Sequence, residues 1–142
     1  MVQNSKDGGS PGGEGQPRFT FQLSARNDQP VPRFHTMMMD PGQYRISLEK
    51  MPGYTAWEYT NKQDRWITQF YLYRPDYRDP NYGKSEPLGN ASRCRCADEA
   101  FAKFVPKVIT IPGDWPLPVM FCIADAQHKD NQGGLSVLVK KL

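Results

Sequence analysis

Val119-Met120-Phe121-Cys122-Ile123-Ala124-Asp125-Ala126-Gln127-His128-Lys129-Asp130-Asn131-Gln132-Gly133-Gly134-Leu135-Ser136-Val137-Leu138-Val139 decides how the chain is read. An apolar run enters a loop with two aspartates, an asparagine and two glycines, and the chain returns as an alternating apolar run. Two runs of strand length joined by turn-forming residues make a hairpin, and its loop gathers oxygen donors.

Outward from this hairpin, alternation with period two dominates. Phe19, Phe21, Leu23 and Ala25 share one side, and Thr20, Gln22 and Ser24 the other. After the turn signal Asp40-Pro41-Gly42, Tyr44, Ile46 and Leu48 alternate with Gln43, Arg45, Ser47 and Glu49. Arg65 to Tyr73 is apolar on both sides, as a central strand under a second layer is, with Trp66, Phe70 and Leu72 on one face. Lys107 to Ile111, Leu117 to Ala124 and Leu135 to Lys140 complete the strands. Met37, Met38 and Met39 lead into a turn and read as filler at an edge of the core. One segment differs: Cys94, Ala97, Phe101 and Phe104 recur at helical spacing, so Ser92 to Phe104 is expected as a short amphipathic helix plugging an end.

Many short strands between Pro- and Gly-bearing turns predict a mainly β fold: an antiparallel β-sandwich with one short helix. A chain of 142 residues with 38% hydrophobic content supplies one core. Met1 to Pro17 is Gly-, Ser- and Pro-rich without apolar periodicity and reads as a disordered tail (residues 1–17) before a single domain (residues 18–142). The net charge of +3 is small and scattered, so a nucleic-acid partner is not expected. No apolar run has the length of a membrane helix, so membrane insertion is not expected, and the N-terminus carries no apolar leader of a signal peptide. Three cysteines leave a thiol over, which favours a soluble protein of a reducing compartment.

Asp125, Asp130 and Asn131 supply hard oxygens of the kind Ca²⁺ takes, with glycine carbonyls free to join them. The same residues also fit a solvated hairpin in which Asp and Asn make Asx-turns. Apolar strand, Asp, Asp-Asn-x-Gly and alternating strand together resemble the C-terminal hairpin of the galactose-binding, calcium-dependent β-sandwich lectins of the bacterial LecA type. The resemblance covers about the last two dozen residues. It implies a carbohydrate ligand and Ca²⁺ as cofactor, with Asp125, Asp130 and Asn131 as metal and sugar ligands.

Aromatic residues are the second resource. Tyr77, Tyr82 and Trp57 lie near turn residues and are the candidates for exposed contact with a ligand. The sequence contains no Gly-x-Ser-x-Gly, phosphate loop or His-Glu-x-x-His, and no nucleophile is indicated near His128, so catalysis is not expected. The functional expectation is a non-catalytic, lectin-like binding module for carbohydrate. The alternative is an intracellular adaptor or structural subunit that meets a protein partner through the Tyr-rich loop from Arg74 to Gly89 and a sheet edge.

Overall fold

The structure, a computed structural model, describes residues 18–26, 31–58, 65–74, 85–123 and 131–142. In chain order the elements are β1 (Arg18–Ser24), β2 (Phe34–Met39), β3 (Gly42–Leu48), β4 (Trp57–Glu58), β5 (Trp66–Ile67), β6 (Phe70–Tyr73), β7 (Ser85–Leu88), α1 (Ala97–Ala102), β8 (Lys107–Ile111), β9 (Leu117–Cys122) and β10 (Gln132–Lys141). They form two antiparallel sheets packed as a sandwich, with one short helix. The expected tail, Met1 to Pro17, lies outside the described residues.

β10 is the spine of the six-stranded sheet. Along one edge it pairs with β1, Leu23 opposite Leu135 and Phe21 opposite Val137. Along the other it pairs first with β4 and then with β3, Val139 opposite Ile46. β5 extends the sheet beyond β4, and β8 extends it beyond β3. Chains can approach β10 this closely because its first turn is glycine. Gly133 has φ +82°, and a Cβ there would sit 2.5 Å from the Ala56 carbonyl oxygen.

The second sheet runs β2-β9-β6-β7. Its inward side chains meet those of the first sheet in one core. Phe121 sits between Phe21, at 5.1 Å, and Phe70, at 6.5 Å, with Ile46, Leu72, Val119 and Val137 fully buried around them. Burial of such side chains contributes roughly 1.5–3 kcal/mol each. At one margin Glu86 of β7 binds Arg74 at 2.7 Å and Lys107 of β8, so an ion-pair cluster ties the two sheets together.

The alternation of Tyr44 and Ile46 is realised as read, both being buried while Gln43 and Arg45 are exposed. Several expectations are corrected. Phe19, near the start of the edge strand β1, is 43% exposed although it stands opposite the buried Val139. Arg65 to Tyr73 is not one strand, and Trp66 does not share a face with Phe70. The chain leaves the first sheet after Ile67 and enters the second at Phe70. Thr68, which is fully buried, pins this crossing: its N–H donates to the Asn90 carbonyl and its hydroxyl accepts from the Asn90 N–H, both at 3.0 Å. Trp57 Nε1 donates to the Gln69 carbonyl at 2.9 Å. The segment is apolar on both sides because it serves two layers in succession.

The helix is shorter than expected and does not plug an end. Cys94 lies in a β-bridge to Trp66 instead. Trp66 stands opposite Glu58, on the side of β4–β5 away from the core residues Trp57 and Ile67. α1 covers that outer side, burying Ala100 with Ala56 and Cys94 against Trp66. The long connection from Arg74 to Gly89 contains β7, hidden in the sequence by Pro87. Met37 to Met39 belong to a full strand, β2.

Candidate binding surface

Residues opposite one another across antiparallel strands point to the same side of a sheet. In the four-stranded sheet this places Phe34, Thr36 and Met38 of β2 in line with Cys122, Met120 and Pro118 of β9. Tyr71 and Tyr73 of β6 continue the same rows, and Pro87 and Ser85 of β7 end them. This is the outer face, since the alternate residues, Val119, Phe121, Phe70 and Leu72, are in the core. Among the described residues of these four strands, no aspartate, glutamate, lysine, arginine or histidine stands on it. Phe34 is 55% exposed and Met38 60%.

Burial raises the pKa of the Cys122 thiol against an opposing effect of Arg33, so the thiol is neutral on this face. On the core side of β2, His35 stacks on Phe21 with ring centroids 4.1 Å apart, and burial lowers its pKa. The imidazole is therefore neutral near pH 7. β2 thus carries no charge on either side. Its partner is β9, and among the described residues no strand pairs with its other edge.

A second feature lies at the end of the sandwich where β10 begins. Ser24, Arg26, Gly53, Tyr54, Gln132 and Gly133 line a cleft of about 390 Å³. Beside it, Asn131 is fully buried, its Nδ2 donating to the Ala25 carbonyl at 3.0 Å. Its Oδ1 is buried without a hydrogen-bond partner. A neighbouring hollow of about 340 Å³ reaches Trp66, Ala97 and Asp98.

No family model matches the chain, and no curated protein or solved structure matches it either.

Of the residues singled out from sequence, Asp125, Asp130, Tyr77 and Tyr82 lie outside the described residues. Asn131 is placed as a clip between the start of β10 and the end of β1. Trp57 is not an exposed contact: it is 4% exposed, its ring in the main core and its N–H spent on Gln69. Among the described residues no three His, Cys, Asp or Glu side chains gather as a metal site would need. All three cysteines are free, and no described helix is long and apolar enough to cross a membrane. What the residue patterns did not single out is the outer face. Its signal was present in Phe34-His35-Thr36-Met37-Met38-Met39, six strand-compatible residues without a formal charge.

Proposed function

We propose that this chain is a non-catalytic binding module that holds a protein partner on the outer face of its four-stranded sheet. The observation that carries the reading is the uncharged row of Phe, Met, Pro and Tyr across β2, β9 and β6, with Phe34 and Met38 more than half exposed. Contiguous apolar surface of this kind marks interaction sites, and Tyr, Phe and Met are enriched in them. The test is a photo-crosslinking residue in place of Tyr73, used in extract of the source cells. A discrete protein adduct that is absent when the same residue replaces Thr20 of β1 is expected. Equal adducts from both positions, or none, would remove the reading.

The end cleft supports a second reading, a polyol or sugar site, because Ser24, Arg26, Tyr54 and Gln132 line it with polar groups. Carbohydrate binding assisted by Ca²⁺ then requires Asp125 and Asp130 to join this cleft. A ligand that binds only the native state raises its stability by mass action. Galactose with millimolar Ca²⁺ should therefore raise the melting temperature, and the double change Asp125→Ala and Asp130→Ala should remove the rise. An unchanged melting temperature in the intact chain would end this reading.

A further inference from the structure

An edge strand offers a row of unpaired backbone groups to any other chain, and proteins ordinarily blunt such edges with charge, proline or shortness. Four of the edges here are treated in this way. β7 carries Glu86 and Pro87, β8 begins with Lys107, β1 begins with Arg18, and β5 is two residues long and bridged by Cys94. β2 is the exception. Its six residues, Phe34-His35-Thr36-Met37-Met38-Met39, hold neither proline nor glycine, and their only titratable side chain is the neutral His35.

We infer that β2 pairs antiparallel with β2 of a second copy, Thr36 facing Thr36 on the two-fold axis, joining two four-stranded sheets into one. The inference goes beyond the proposed binding face: the second copy joins at the edge of that sheet and leaves the face itself open. Charge selects the occupant and the register. A continuous sheet keeps each face on one side, so only registers that oppose outward with outward residues are allowed. Centred on Thr36, Phe34 stands opposite Met38 of the copy, and His35 opposite Met37. From Phe34 to Met38 every facing pair then joins uncharged groups, a Thr–Thr pair flanked by aromatic–methionine pairs, each of a favourable cross-strand type, and the ladder ends where Met39 meets Arg33 of the copy. Centring on Met37 would set Asp40 opposite Phe34, and centring on His35 would bring Pro32 into the ladder opposite Met38. A two-fold contact is self-complementary, as this strand is.

The area sets the strength. Five paired residues at ~3.4 Å each give about 17 Å of edge. That is well short of the roughly 800 Å² per partner of a standard stable interface. The dimer is therefore weak and concentration-dependent, and it extends the uncharged outer face across both copies.

Sedimentation of the full chain from low micromolar to near-millimolar concentration tests this. The average mass should climb toward twice that of the monomer. Thr36→Lys, at an exposed position, sets like charges against each other at the axis and should raise the dissociation constant roughly tenfold or more with an unchanged melting temperature. Thr20→Lys, at an exposed position on β1, should leave association as it was. Thr36→Cys should form a disulfide-linked dimer under mild oxidation, because opposed Cα atoms at ~4.5–5.5 Å suit a disulfide. Neither the unaltered chain nor Thr20→Cys should do so at a comparable rate. A monomer at every concentration, disruption by Thr20→Lys instead, or equal crosslinking at both positions would overturn the inference. If the monomer still gives the Tyr73 adduct with another protein, the second copy is refuted and the binding face stands; if no adduct forms either, both are refuted.

Discussion

The outer faces of the two sheets are built alike and finished differently. On the six-stranded sheet, Arg18, Lys140 and Arg45 stand side by side across β1, β10 and β3. Gln22 and Ser136 follow, joined by a 3.2 Å hydrogen bond. On the four-stranded sheet the corresponding rows read Phe34-Cys122-Tyr71-Pro87 and Thr36-Met120-Tyr73-Ser85. Three like charges in a row repel one another across strands and repel a copy of themselves, so this end of the first face stays in water. The second has nothing to keep it there. Both sheets bury one side in the same core, so the difference cannot arise from folding demands. It lies in what each outer side is left to meet.

That contrast is open to attack at several strengths. The largest effect should come from comparing the two sides of one sheet. Phe121→Ala, in the core between Phe21 and Phe70, should cost about 3–5 kcal/mol in denaturant unfolding, whereas Phe34→Ala should stay within about 0.5 kcal/mol. Comparable losses would mean that Phe34 is packed, and the outer face would no longer be a free surface.

Next comes the end of the sandwich. Asn131→Ala removes the Nδ2 bond to Ala25 and should cost about 1 kcal/mol. A gain in stability would show that the buried, unpartnered Oδ1 costs more than that bond contributes.

A smaller effect should follow pH. His35 has a folded-state pKa below its ordinary 6.5, so the unfolded chain binds more protons in the window between the two values. The stability of the neutral, stacked ring is present above pH 6.5, falls as pH drops through that window, and levels off below the folded pKa. His35→Phe should flatten this part of the stability–pH curve, and an unchanged slope would place the titrating group elsewhere. The smallest effect is Met38→Lys, on the exposed side of β2, with a melting temperature equal to the parent's within error. A clear loss would make the outer face part of the fold.

Where one side of a strand is polar, the residues themselves announce the fold. Tyr44 and Ile46 against Gln43 and Arg45, and Leu23 against Gln22, tell which way to point, because period-two alternation leaves one side nothing to bury. That was enough for an antiparallel sandwich with one helix. It failed where both sides are apolar. Phe70 and Leu72 alternate with Tyr71 and Tyr73, and Met37 and Met39 with Phe34, Thr36 and Met38. Hydrophobicity does not say which set meets the other sheet. Only packing chose, turning Phe70, Leu72 and Met39 inward. The candidate site was illegible for that reason: an outer face with the composition of a core looks like core until the layer opposite it is known.

The break at Thr68 and Gln69 was hidden in another way. The groups that satisfy their buried backbone are Asn90, 22 residues away, and Trp57, 12 residues away. The same distance hid the fate of Trp57, whose turn-rich neighbourhood suggested exposure and whose indole the crossing drew into the core. By itself the sequence determined the class of fold and the strands with a polar side, because these depend on local alternation and composition. The tertiary structure alone decided which apolar side faces out, where the chain changes sheet and which strand edges go unpaired among the described residues, because those depend on contacts between residues far apart in the chain.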